Sequence, residues 1–261
     1  MTQGSDDAGA VLAEHDGAVV TLTLSHPAVL HAMTWALYGE LERHLTDLRA
    51  DDAVRVVVLR GAGEAFAAGT DIRQFAGFSG DEGVAYEVRV DEVIGALAGF
   101  PKPVLAAVHG PAVGSGMAMA AACDLRYATP NSRFGVPVSR TLGNCLSLRN
   151  YAGLIEAFGE MRTKELLFTG RLFSASEALQ AGFLTAIFEE AGFIDAVLDI
   201  AHRIAERAPL TLWATKEAIR RLKGTPAVPF DDVVARVYGS QDFAEGVRAH
   251  MEKRRPVFEG K

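Results

Sequence analysis

A chain of 261 residues with 49% hydrophobic content can bury one sizeable core, and no composition break or long Pro/Gly/Ser linker divides it. A net charge of −7 with pI near 5.5 gives no electrostatic support to a general affinity for nucleic acid, and no apolar run approaches the length of a membrane span. The two cysteines, Cys123 and Cys145, lack metal-like or redox-pair spacing and fit a reducing cytoplasm, while the 7 histidines form no ligand cluster, so no metal is expected.

Residues 1–10 read as a disordered tail, Met1 to Ala8 being polar and acidic with no signal or transit pattern. Runs rich in β-branched and aliphatic residues predict strands at 18–24, 54–60, 104–108, 124–128 and 184–188. Between them, Leu37, Leu41, Leu45 and Leu48 repeat at helical spacing, as do the apolar residues of 84–97 and 164–167. From 195 onward the pattern is helical, with breaks near Pro209 and Pro226. The expected organisation is an α/β core over 11–195 and a helical region over 196–261. Periodicity alone does not separate a spiral of repeated units from a doubly wound sheet.

Two of the strands run into glycine-rich turns, Gly63-Glu64-Ala65-Phe66-Ala67-Ala68-Gly69-Thr70-Asp71-Ile72 and His109-Gly110-Pro111-Ala112-Val113-Gly114-Ser115-Gly116. A turn of small residues between strand and helix leaves backbone N–H groups unpaired, and two side by side can hold one negatively charged oxygen. For either turn alone, glycine that merely permits packing is an equal explanation. A dinucleotide-binding reading of Gly61-Ala62-Gly63 fails because Phe66 stands where the fingerprint needs a third glycine.

The ordered set Ala-Phe-Ala-Ala-Gly-Thr-Asp-Ile, Gly-Pro-Ala-Val-Gly-Ser-Gly and Cys123-Asp124-Leu125-Arg126 resembles the crotonase superfamily, the enoyl-CoA hydratases and isomerases. The likeness extends to His26-Pro27-Ala28-Val29-Leu30-His31-Ala32-Met33, to Thr169-Gly170-Arg171 with Glu177-Ala178 and Ala181-Gly182-Phe183, and to the tail from Ser240 to Pro256. It therefore covers the chain from about residue 17 to the end. The resemblance implies a crotonase-like spiral of ββα units with a C-terminal helical region that joins subunits into a homo-trimer or a dimer of trimers. It also implies a small-molecule acyl-CoA substrate, with coenzyme A as part of the substrate and no tightly bound cofactor, and a cytoplasmic enzyme without nucleic-acid or membrane partners.

Residue by residue, the resemblance implies that the N–H groups of Thr70 and Ser115 bind the thioester oxygen, with Gly114 keeping the approach clear. Val29, Leu30, Ala68, Asp71 and Ile72 fall around the adenine and pantetheine, and Lys253 falls near the CoA phosphates, against the simpler reading of a solvated basic end. Asp71 reads as a helix cap rather than a catalytic group, and Ser115, where most relatives carry glycine, as a tolerated small residue. The two glutamates by which family hydratases hold water carry over to Ala118 and Val138, neither of which can transfer a proton.

Between Gly110 and Gly159 the acidic residues are Asp124 and Glu156, both read as structural. Glu87, Asp91 and Glu92 can reach a pocket from the helix over 84–97, although a solvated helix face is the simpler explanation for each. In the polar stretch Val136 to Ser147, Arg140 can bind a second acid group on the substrate or form a structural ion pair. Asn144 can hold a water, and Cys145 reads as a buried packing thiol rather than a nucleophile. The resulting function is an acyl-CoA-transforming enzyme of the enoyl-CoA hydratase/isomerase kind, stabilising a thioester enolate in a backbone oxyanion hole, with two-glutamate hydration in doubt. The alternatives are a catalytically silent acyl-CoA-binding protein, or a CoA thioester hydrolase or decarboxylase.

Overall fold

The computed structural model describes residues 9–75, 77–223, 236, 239–254 and 256–261. The break at Pro226 and the tail at 1–8 lie outside them. Strands β1 (Ala10–Asp16), β2 (Val19–Ser25), β3 (Val56–Gly61), β4 (Val104–Val108), β6 (Leu125–Ala128) and β9 (Ala186–Ile187) form one sheet in the order β1-β2-β3-β4-β6-β9. The β1–β2 pair is antiparallel and the remaining pairs are parallel. A smaller sheet takes β5 (Pro111–Val113), β7 (Arg133–Gly135) and β8 (Phe173–Ser174). β1 takes in Ala10, the last residue assigned to the tail.

The winding is that of a spiral. β4 is followed by β5 and then helix α3 (Ser115–Ala122), and β6 by β7 and then α4 (Leu148–Thr169). One turn earlier, β3 leads into Ala67, which bridges Ala112 of β5, and then into α2 (Gly80–Ala98). Each unit thus sends one strand to each sheet before its helix. The doubly wound alternative is excluded, because the second strand of each unit leaves the main sheet.

Period-two alternation divides the main sheet between two apolar layers. Val56, Val58, Leu105 and Ala107 face a cluster covered by α6 (Phe193–Ala205) through Phe193, Val197 and Ala201. Val57, Leu59, Val104, Ala106 and Val108 face the larger core, which contains Leu37, Leu41, Leu45 and Leu48 of α1 (Trp35–Ala50). β4 is buried at all five positions, as expected for a parallel strand covered on both faces.

Local signals start the helices. Thr34 caps α1 by accepting from the Leu37 N–H, Ser79 and Glu82 make a reciprocal capping box on α2, and Ser147 caps α4 through Asn150. α4 is interrupted at Gly159, whose φ of 75° breaks the helical path. α5 spans Ala175–Gln180. α7 (Pro209–Leu222) begins with Pro209 inside its first turn, so this proline starts a helix as well as ending the previous one. α8 spans Gln241–Glu252.

Asp124 and Glu156 have the structural roles expected of them. Asp124 Oδ2 accepts from the Val104 N–H at 2.7 Å and from Lys216 of α7, joining the start of β4 to the helical region. Glu156 pairs with Lys223 at 2.6 Å. Replacing Asp124 strands a buried N–H and an ammonium, each costing about 1–3 kcal/mol when left unsatisfied. Asp124→Ala is therefore expected to lose about 2 kcal/mol or more of unfolding free energy in urea titration, and Lys216→Met less.

Candidate active site

The two glycine turns lie against each other through their main chains. The N–H groups of Phe66 and Ala67 donate to the Pro111 carbonyl at 3.2 and 3.1 Å, and the Val113 N–H donates to the Ala67 carbonyl at 3.0 Å. The approach leaves no room for side chains. A Cβ at Gly116 would stand 2.3 Å from the Ala67 carbonyl oxygen, and one at Gly69 would stand 3.3 Å from the Val113 oxygen. Gly69 has φ +104° and Gly114 φ 55° with ψ −120°, backbone conformations open to glycine.

Thr70 and Ser115, the next residue in each turn, meet through their side chains at 3.3 Å between Oγ1 and Oγ. Thr70 bridges Met33 in parallel fashion: Met33 N–H donates to the Gly69 carbonyl at 2.7 Å, and Asp71 N–H to the Met33 carbonyl at 3.0 Å. In that pattern the Thr70 N–H faces away from Met33. Ser115 opens α3, where the first-turn N–H groups have no intrahelical acceptor and the dipole is positive.

The hydroxyls of the pair belong to a larger set. Tyr38 of α1 and Tyr86 of α2 bring their phenols within 2.9 and 2.7 Å of Thr70 Oγ1. Burial raises both phenol pKa values, so both groups stay protonated. A threonine hydroxyl has two lone pairs and one hydrogen. Thr70 Oγ1 gives its hydrogen to Ser115 Oγ, which leaves its two lone pairs to accept from the phenols. Trp35, Phe75 and Phe78 pack their ring edges around Tyr86, holding its phenol in place.

Around the pair, the Ala68 N–H donates to the Leu30 carbonyl at 3.0 Å, which brings two of the expected CoA-binding positions together. Leu30 and the neighbouring His31 both adopt left-handed backbone, φ 51° and 58°, and His31 Nδ1 accepts from the His26 N–H at 2.9 Å. Val29 ends the 3-10 turn Pro27–Val29 beside them. Leu30 and Ile72 expose about half of their surface, 49% and 59%. Asp71 is buried and caps the turn Ile72–Phe75 through the Arg73 N–H, with the Arg73 guanidinium across both its oxygens. That ion pair holds its carboxyl below the usual range. Lys253 is exposed, and no hydrogen bond or ion pair among the described residues ties it to the 29–30 or 68–72 backbone.

The polar stretch before α4 is less closely held. Arg140 and Asn144 are exposed; Arg140 N–H donates to the Pro137 carbonyl at 3.0 Å, and the Asn144 amide to the neighbouring Cys145 carbonyl at 3.3 Å. Neither is joined to Thr70 or Ser115. Cys145, expected as a packing thiol, is exposed because the stretch 139–145 lies on the surface. Cys123 is the buried one, its thiol pushed up to about 12. Among the described residues no group of three or more His, Cys, Asp or Glu is placed to hold a metal ion, and no helix is long and apolar enough to cross a membrane.

Residues 14–261 match the sequence profile described as Enoyl-CoA hydratase/isomerase. This chain belongs to that family. The short-chain-enoyl-CoA hydratase of Clostridium acetobutylicum is 30% identical over 250 residues, covering 94% of this chain and 95% of the relative. The methylmalonyl-CoA decarboxylase of Escherichia coli K12 is 30% identical over 251 residues, covering 93% and 95%. A crystal structure of an enoyl-CoA hydratase/carnithine racemase from Magnetospirillum magneticum superposes with TM-score 0.91 at 30% identity, covering 99% of this chain and 100% of that one. The chain is thus an acyl-CoA enzyme of the crotonase superfamily, with the fold of its relatives.

No local pattern marks the Tyr38–Thr70–Tyr86 contacts, because the three residues come from separate elements. Glu87 and Asp91 were legible as acids that can reach a pocket, with a solvated helix face as the simpler explanation. The structure turns both toward Ser147: its N–H donates to Glu87 Oε2 at 2.8 Å and its hydroxyl to Asp91 Oδ1 at 2.6 Å. Glu92, in contrast, is exposed and paired with Arg89.

The main-chain clamp makes a direct prediction. Gly116→Ala puts a methyl group into the Ala67 carbonyl and forces the two turns apart, at a cost of about 1–3 kcal/mol. Thermal unfolding should show this loss, and affinity for butyryl-CoA by calorimetry should fall with it, whereas Gly39→Ala within α1, where a Cβ meets nothing within 4 Å, should leave affinity unchanged and raise stability by up to about 1 kcal/mol.

Proposed function

We propose that the protein binds an acyl-CoA thioester with the carbonyl oxygen between the N–H groups of Thr70 and Ser115, and stabilises the enolate formed when the α-carbon loses a proton. The observation that carries this reading is the contact of the two glycine turns, with Thr70 and Ser115 side by side. Two amide donors beside a helix N-terminus favour negative charge as it develops on that oxygen. Leu30, Val29, Ala68 and Ile72 supply the neighbouring surface for the pantetheine and adenine, and Lys253 suits a CoA phosphate as a mobile point charge.

The reaction in this reading is a proton shift next to the thioester, not two-glutamate hydration. Hydration needs a base for water and an acid for the α-carbon, and positions 118 and 138 hold alanine and valine. Within the same reading, the helical region joins subunits into trimers or dimers of trimers; Leu222 of α7, more than three-quarters exposed, supports such contacts, and Met161 and Phe168 of α4 extend the exposed apolar surface outside that region.

Isotope-edited infrared spectroscopy tests the grip. The carbonyl band of butyryl-CoA labelled with carbon-13 at the thioester carbon is expected to move to lower wavenumber on binding, and a band unchanged from free thioester overturns the reading. With crotonyl-CoA, hydration is expected to run about 10²-fold or more below that of a hydratase carrying both carboxylates, the contribution of one positioned acid or base being of that order.

A further inference from the structure

We propose that Glu87 is the proton-transfer group of this site: its carboxylate removes a hydrogen from the substrate's α-carbon and returns it to the acyl group. The inference rests on the thioester reading above. The C–H electron pair passes into the enolate, the charge settles on the oxygen between Thr70 and Ser115, and the proton resides on Glu87. Returned to the same carbon it gives exchange with solvent, and returned to the γ-carbon of an enoyl group it moves the double bond. One carboxyl suffices for either outcome, with no other reactant.

The position of Glu87 carries the argument. Ala118, Val138, Tyr86 and Leu146 are all partly exposed and all packed on the same main core, from α3, the 136–147 stretch and α2. The family's two carboxylate positions are therefore aliphatic here, and α2 and the polar stretch pack Tyr86 and Leu146 onto the same core. Glu87 follows Tyr86, and its Oε2 accepts from the amide of Ser147, which follows Leu146. The carboxyl is thereby pinned between α2 and the polar stretch, and its charge bears on the phenols of Tyr38 and Tyr86, the two groups bonded to Thr70 Oγ1. Its Oε1 has no hydrogen-bond partner among the described residues. Tyr86 in turn bonds Thr70 Oγ1 at 2.7 Å, tying the helix that bears Glu87 to the residue whose amide faces the oxygen.

Of the other carboxylates of α2, Glu82 closes the capping box, Asp91 accepts from the Ser147 hydroxyl, Glu92 pairs with Arg89, and Asp81 is exposed in the first turn. Burial, and then the charge of Asp91, raise the Glu87 pKa, against the Ser147 N–H, which lowers it. The groups whose charge couples to it are Asp91, one turn on, and the protonated phenols of Tyr38 from α1 and Tyr86 from α2; the Arg149 guanidinium of α4 lies two turns along α2, against Gly95. A base held above the ordinary carboxylate range is matched to a weak carbon acid better than an ordinary one.

The test follows deuterium incorporation at the α-carbon of butyryl-CoA in heavy water, beside calorimetric binding of the same ester. Glu87→Gln keeps an acceptor for the Ser147 N–H, so binding is expected to stay within about threefold while exchange falls by about 10²–10⁴. Glu87→Asp should recover part of the rate. In the unmodified protein exchange should rise with pH through a midpoint above the usual carboxylate range, and Asp91→Asn, by removing a neighbouring negative charge, should move that midpoint to lower pH. Exchange in Glu87→Gln within threefold of the unmodified protein overturns the proposal. So does tight binding with no exchange in the unmodified protein, which points to a silent binder. Absence of ester binding in the unmodified protein fails the thioester reading itself, and Glu87 with it.

Discussion

The main-chain contact between two turns that are separate in sequence is the constraint on which the site depends. Ala67 stands at its centre, bonded through its N–H to Pro111 and through its carbonyl to Val113, with Gly116 close against that carbonyl. Backbone hydrogen bonds of this kind fix distance and direction together. The parallel strands β3 and β4 deliver the two turns in register, and the small sheet carries the same alignment onward to β7, where the Gly135 carbonyl accepts from the Gly114 N–H. Side chains enter second: the phenols of Tyr38 and Tyr86 hold Thr70, and Thr70 holds Ser115.

The sequence was most legible where one physical signal acted alone. The strand at Val104–Val108 is a continuous apolar run buried on both faces, and its expected limits coincide with the observed ones. The leucine spacing of α1 and the glycine turns were equally direct. β1 was missed because its exposed edge position admits Glu14, His15 and Asp16, which break the apolar pattern. β5, β7 and β8 have two or three residues each, too few for any period, and exist because the neighbouring coil supplies partners. α4 was legible only in part, around Glu156 and over 164–167. Gly159 interrupts it, and its exposed face carries Leu148, Ile155, Met161 and Phe168, so the polar side that marks an amphipathic helix is blurred.

At the site, the residue types were readable and their mutual placement was not. Asp71 as a cap follows from its position before a helical turn, and the turn Ile72–Phe75 uses it that way. Glu87 and Asp91 had an equally local description as a solvated face. What overrides it is Ser147, more than fifty residues on in the chain. Pairings across that separation leave no trace in periodicity, because each partner satisfies its own helix equally well without the other.

The stretch between Gly135 and Ser147 is moored at both ends, at Gly135 by the Gly114 N–H and at Ser147 by α2, while residues 139–145 between the moorings are exposed. A cassette attached in this way can be lengthened, shortened or rewritten without disturbing the alignment of the turns beside it. Replacements can therefore accumulate there one at a time, while the scaffold that carries the segment stays under the stricter demand of main-chain fit.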